Sequence, residues 1–282
     1  MKKEPALRVG KIPYANLYPI YRALEKRFPA ENVRFVPGHP ADLNRRLRAG
    51  RLDISPSSSI EYARRPERYL LCPDIAIAAR AKVMSVVLLS RAPVKSLSDE
   101  PIAVTGASDT SVVLLEILLR EFAGRRNRLV RTGLGPRDAL RRHPAFLAIG
   151  DQAIRASLSG AAPRVTDLGA WWRRETGTPF VFALWIATRA AARDRGEGLR
   201  RFGRSLLLAK AAARAAMDGR LGGILDGPAW IPRDFLEEYW RNLSYDLGPA
   251  EEGLRLFFRL AAKIGRIPAA PPLRFLDLHR AC

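Results

Sequence analysis

The stretch Pro179-Phe180-Val181-Phe182-Ala183-Leu184-Trp185-Ile186-Ala187-Thr188-Arg189 sets nine uncharged residues, mostly aromatic and aliphatic, between a proline and an arginine. Such a run reads as a strand buried on both faces. Its place in the chain decides the architecture. Before it, strands and helices alternate. After it the pattern is all helical, over about 197 to 218, 232 to 242 and 249 to 264, with Leu254, Phe257, Phe258, Ala261 and Ile264 on the inner face of the last. A strand in that position is expected to return the chain from a second α/β unit to the first.

Upstream, Leu7 to Ile12 and Val33 to Val36 read as strands around a helix with Ile20, Leu24 and Phe28 on one face. Pro40 opens a second helix, Gly50 stops it, and Leu52 to Ile54 follow as a strand. "SPSSSIEYARRP" reads as a hydroxyl-rich turn into a short helix ended by Pro66, and "YLLCPDIAIAA" and "KVMSVVLLS" read as strands. Near Ser90, "RAPVKSLSDEP" has the prolines and polar residues of a domain crossing. "IAVTGASDTSVVLLEILLREF" is then a strand and a helix apolar nearly all round, hence buried. "LVRT", "AFLAIG" and "VTDL" supply short strands, and a helix starts at Asp151. The expectation is an α/β protein of two lobes with a ligand cleft between them and a helical C-terminus. Lobe I takes residues 1–90 and 183–282, and lobe II takes 91–182.

At 282 residues and 48% hydrophobic, the chain can build two cores. No stretch is long and apolar enough to span a bilayer. The N-terminus lacks the apolar run of a secretory signal, so a cytoplasmic location and no membrane partner are expected. Cys72 and Cys282 form neither a disulfide framework nor a metal spacing. The net charge of +20 raises a nucleic-acid reading, but 40 of the 48 basic residues are Arg, scattered singly and in pairs. That distribution, without a zinc-finger or RNA-binding signature, argues against nucleic acid. A positive field still helps to collect a small anion.

Three helix starts are rich in hydroxyls or caps: Ser57-Ser58-Ser59, Ser108-Asp109-Thr110-Ser111 and Gly150-Asp151. First-turn N–H groups and nearby hydroxyls hold carboxylates well, and plain N-capping is the competing reading. Asp151 would repel an anion, so capping or orienting a neighbour suits it better. His39, His143 and His279 lie in polar loops without partner spacing, and there is no P-loop, GxGxxG or HExxH. No cofactor and no metal are expected, and any chemistry must come from positioning and hydrogen bonding.

"GKIPYANLYPI", "GRLDISPSSSIEYAR", "VMSVVLLS", "ASDTSVVLLEILL", "AIGDQAIRA" and "DLGAWWRRETGTPFVFALW" follow one another in order over residues 7 to 187. In order and spacing they resemble the chorismate dehydratases of the futalosine route to menaquinone. The resemblance implies a type II periplasmic-binding-protein-like fold. It also implies a carbon–oxygen lyase (hydro-lyase) that converts chorismate to 3-[(1-carboxyvinyl)oxy]benzoate and water, with proton abstraction assisted by the substrate. Asn16 matches the family's functional Asn, and Ser85 its cleft Ser; both are the catalytic candidates. Ser108, Thr110 and Ser111 match the second-lobe helix start, and Thr176, Gly177 and Pro179 the returning hinge. Phe180 packs either on the substrate ring or in the core. Tyr14, Ser57, Ser58, Ser59, Thr105 and Asp151 complete the substrate-binding candidates. A related enzyme acting on a futalosine derivative usually opens with a Cys- and Asp-containing Pro-rich motif, absent here. A non-catalytic small-anion receptor of the same fold would need an export signal.

Overall fold

The computed structural model describes residues 6–97, 99–218 and 227–279. Cys282 and the first five residues, on which two of the expectations above bear, lie outside them. The chain opens with β1 (Leu7–Lys11), α1 (Tyr18–Lys26), β2 (Val33–Pro37), α2 (Pro40–Arg48), β3 (Ile54–Ser58), α3 (Ser59–Arg64) and β4 (Tyr69–Ala79). Proline stands in the first turn of both α1 and α2, where a missing N–H costs nothing.

A second unit follows with β5 (Val86–Ser90), β6 (Ile102–Thr105), α4 (Thr110–Ile117), β7 (Leu129–Thr132), α5 (Pro136–Arg142), β8 (Ala145–Ile149), α6 (Gly150–Leu158), β9 (Arg164–Asp167) and α7 (Leu168–Thr176). Helix α4 is buried at seven of its eight positions, as its all-round apolar pattern requires, and widens into a π-helical turn at Leu118–Phe122. The chain then returns through β10 (Phe180–Thr188) to α8 (Arg189–Asp194), α9 (Gly196–Met217), α10 (Arg233–Asn242), β11 (Leu243–Ser244) and α11 (Glu251–Lys263).

The strands form two sheets, ordered β11-β4-β10-β3-β1-β2 and β7-β6-β8-β5-β9. In each sheet the strand that arrives from the other unit lies antiparallel among its neighbours: β10 between β3 and β4, β5 between β8 and β9. Strand β10 is buried at eight of nine positions, which explains why it carries no polar alternation.

Two sequence expectations change here. The crossing lies between Ala79 and Val86, and β5 belongs to the second sheet, so the boundary expected at residue 90 comes one strand late. An apolar, β-branched run identifies a strand but not the sheet it joins, because both faces are covered in either one. Residues Ser55 to Ser58 are strand, not turn: they pair with Ile186 to Ala183 of β10, and those ladder bonds outweigh the turn preference of Ser and Pro. The two-residue β11, paired with Ala78 and Ala79, is too short to leave a periodic trace.

Candidate functional site

A small cavity of ≈ 50 Å³ lies where the two sheets meet. Tyr14, Asn16, Ser58, Ser85, Ser108 and Ser111 supply its polar lining; Ile12, Val86, Ile149 and Phe182 are among its apolar walls. Among the described residues no Asp, Glu, Lys, Arg or His lines it. The first turns of α4 and α6 border it through Ser111 and Gly150, whose N–H groups are taken by Ser108 Oγ and Ser85 O, so these helix starts offer the space the Ser111 hydroxyl and the positive ends of two helix dipoles. The site is therefore built of neutral donors.

Asn16 sits in the loop between β1 and α1. That loop is held from three sides: Ala15 N–H donates to Asp151 Oδ1 at 3.2 Å, Trp240 Nε1 donates to Ala15 O at 2.9 Å, and the Tyr245 hydroxyl donates to Asn16 O. The side chain is treated differently. Asn16 Oδ1 is buried and has no hydrogen-bond partner among the described residues. A buried acceptor left unpaired costs about 1–3 kcal/mol, a cost that folding alone does not explain.

Ser85 closes the crossing loop. Asp167 accepts N–H groups from Val83, from Met84 and from Ala170 in the first turn of α7, pinning the loop through the left-handed Met84 (φ 56°). Burial raises the Asp167 pKa, and those N–H groups offset part of the rise. Ser85 O accepts from Gly150 N at 2.7 Å, while Ser85 Oγ receives the Tyr239 hydroxyl at 2.9 Å.

Gly150 has φ 60°, and a Cβ there would lie 2.7 Å from the Tyr14 ring. Glycine alone allows the lobe II helix start to approach the lobe I tyrosine this closely. Burial, then the Asp151 charge, push the Tyr14 hydroxyl up to about 12. That hydroxyl shares a 2.9 Å hydrogen bond with Nδ1 of exposed His39 at the rim.

The remaining candidates divide. Ser108 Oγ bonds Ser111 Oγ at 3.0 Å and accepts Ser111 N–H at 3.2 Å, so it both caps α4 and lines the cavity. Ser58 lines it, and its N–H is held by Asn44 Oδ1. Ser57, Ser59, Thr105 and Thr110 do not line it. Ser59 Oγ donates to Val181 O and meets Thr110 Oγ1 at 3.2 Å, which zips the lobes together behind the cavity. Ser57 Oγ is buried without a hydrogen-bond partner among the described residues, and Thr105 Oγ1 accepts Ala107 N–H. Asp151 orients the Ala15 peptide, and burial raises its pKa.

Phe180 is 1% exposed and packs edge-on against Trp172, Phe182 and Phe257, with centroids 4.6–5.0 Å apart. The wall belongs to Phe182, its neighbour two residues on. Of the expected hinge, Gly177 (φ 69°) ends α7 and Thr176 Oγ1 donates to Trp172 O, while Pro179 O is packed closely under Gly253 of α11.

Sequence reading missed Asn44, Tyr239, Trp240 and Tyr245, whose partners lie 14 to 229 residues away. In the sequence they resemble ordinary core residues.

Among the described residues no three His, Cys, Asp or Glu side chains gather to hold a metal ion, and no helix is long and apolar enough to cross a membrane.

The sequence profile of a family described as menaquinone biosynthesis matches residues 7–263. A chorismate dehydratase of Thermus thermophilus is 32% identical, over 93% of this chain and 96% of its own length. A 1,4-dihydroxy-6-naphtoate synthase of the same organism is 30% identical, over 95% of this chain and 98% of its own. Among solved structures, a Candida albicans gene product described as having the generic periplasmic binding protein fold superposes with a TM-score of 0.67 at 11% identity, covering 98% of this chain and 99% of its own. Fold, profile and relatives agree: the chain belongs to the menaquinone-biosynthesis family that holds the chorismate dehydratases.

Proposed function

We propose that this protein dehydrates chorismate to 3-[(1-carboxyvinyl)oxy]benzoate, with Asn16 and Ser85 acting on the reacting atoms. The observation that carries the reading is the unpaired, buried Oδ1 of Asn16, a residue that lines a cavity with no charged side chain among its described walls. Comparing substrate and product, the ring loses the hydrogen on its ether-bearing carbon and the neighbouring hydroxyl. The new ring double bond completes an aromatic system, so the barrier lies in moving one proton and releasing hydroxide. Among the described residues the one titratable side chain in the lining is Tyr14, whose hydroxyl burial pushes up to about 12.

Among the described residues no carboxylate or imidazole lines the cavity, and the substrate's own enolpyruvyl carboxylate takes the ring proton. The electron pair of that C–H bond forms the double bond, and the hydroxyl leaves with its bonding pair. The proton held by the carboxylate converts it to water, so substrate and product are both dianions and the charges balance. Asn16 accepts the proton of the ring hydroxyl through Oδ1 and donates through its amide N–H as the oxygen gains charge. Ser85 adds a donor. The second carboxylate suits the Ser111 hydroxyl, whose oxygen accepts from Ser108 Oγ and whose own proton is left to donate at the positive end of the α4 dipole. A cavity of ≈ 50 Å³ is well below the roughly 300–1,000 Å³ of ordinary ligand pockets. Chorismate therefore enters when the walls part, by flexing the crossings at Arg80–Ser85 and Gly177–Pro179.

Purified protein is incubated with chorismate without added metal, and the ultraviolet change from diene to aromatic ring is followed. Appearance of the aromatic product supports the reading. Tight chorismate binding without product would make the chain a receptor for small anions, and turnover of a futalosine derivative instead would assign it the other family activity.

A further inference from the structure

Three hydrogen-bond donors from residues 239 to 245 converge on the Asn16 loop and Ser85. Trp240 and Tyr245 reach backbone carbonyls, as any loop anchor does. Tyr239 differs. Its hydroxyl, on a side chain 1% exposed, donates at 2.9 Å to the side-chain oxygen of Ser85, its one hydrogen-bond partner among the described residues. Phe235 stacks on its ring with centroids 6.3 Å apart, which restrains the ring plane.

A serine hydroxyl has one proton and two lone pairs. Tyr239 occupies a lone pair of Ser85 Oγ, so the Ser85 proton must point elsewhere. Its intramolecular choice is Val83 O at 3.3 Å, long for an O–H···O bond, where about 2.7–2.8 Å is usual. An oxygen placed in the cavity competes easily for that proton. A donor into Ser85 Oγ also polarises its O–H, because chained hydrogen bonds strengthen one another.

We propose that Tyr239 is a positioning residue that fixes Ser85 as a hydrogen-bond donor toward the leaving oxygen of the substrate. The inference rests on the dehydration proposed above. Burial favours the neutral phenol, which keeps Tyr239 a donor throughout the working pH range.

Steady-state kinetics and product binding are compared for the full-length wild type, Tyr239→Phe, Ser85→Ala and the double variant. Wild-type conversion of chorismate is read first, and its absence would sink both proposals. With conversion present, Tyr239→Phe is expected to lower kcat by about ten-fold while KM and product affinity stay within about three-fold. If Tyr239 acts through Ser85, the double variant is no slower than Ser85→Ala. An unchanged kcat, losses that multiply in the double variant, or kcat and product affinity falling together would each overturn the role. Should Tyr239→Phe fail to fold, 3-fluorotyrosine at position 239 keeps the shape with a more acidic hydroxyl. It is expected to raise kcat at constant KM, and an unaltered kcat refutes the proposal.

Discussion

Replacing Asn16 by Ala separates a residue kept for chemistry from one kept for folding. Two quantities oppose each other in stability. The substitution removes an amide whose Oδ1 is buried without a partner, relieving a desolvation cost of about 1–3 kcal/mol. It also removes the contacts of a half-buried side chain, about 1 kcal/mol for one or two methylene-sized groups. The backbone carbonyl that receives Tyr245 is untouched. The net expectation is a stability equal to wild type or higher by up to about 2 kcal/mol, which for a chain of this size raises Tm by about 4–8 °C at most. Activity should move the other way. Loss of a donor aimed at a developing oxyanion costs about 10²–10³ in kcat. The assays are thermal unfolding by calorimetry and chorismate turnover by ultraviolet absorbance. A variant destabilised by more than about 1 kcal/mol that still turns over at the wild-type rate would show that Asn16 is an ordinary turn residue. Asn16→Asp sharpens the result: a carboxylate about 4 Å from a substrate carboxylate repels it by about 4 kcal/mol at an effective dielectric of 20, so binding should weaken as well.

Phe180→Ala is expected to cost about 3–5 kcal/mol in calorimetric stability, whereas Phe182→Leu should raise KM with little change in Tm; the reverse pattern would return the ring-packing role to Phe180. Asp151→Asn keeps an acceptor for Ala15 N–H but removes the charge. Because burial raises the Asp151 pKa, the folded state binds its proton more tightly than the unfolded state, so its contribution is present below the unfolded value near 3.8 and lost as pH rises through the folded one. Melting curves from pH 3 to 7 should therefore show wild type losing ground to Asp151→Asn as pH increases, and a constant gap would contradict this. With a net charge of +20 and a dianionic substrate, kcat/KM should fall with added salt while kcat stays level; a flat salt response would leave the charge without a role in substrate capture.

Much of the fold, and part of the lining of the candidate site, were legible without coordinates. The return strand Phe180 to Thr188, the proline-started helices α1 and α2 and the buried α4 rest on local periodicity and helix-start chemistry. Asn16, Ser85, Ser108 and Ser111 follow strand ends, where α/β lobes present their loops to a cleft, and all four line the cavity. The limits were geometric. Three consecutive serines, Ser57 to Ser59, cannot share one face where a strand runs into a helix, and only pairing with β10 decides that Ser58 is the one that faces the cavity. The same alternation exchanges Phe180 for Phe182 only when the packing of Trp172 and Phe257 is known.

By itself, then, the chain's order of residues determined the α/β class, the helical finish and a set of candidate hydroxyl and amide groups after strand ends, because these follow from patterns a few residues long. Tertiary structure alone decided which sheet receives β5, which aromatic forms the wall, and that Tyr239, Trp240 and Tyr245 reach across more than 150 residues to hold Ser85 and the Asn16 loop. Such contacts are fixed by how two lobes close around one cavity, and no local pattern records that closure.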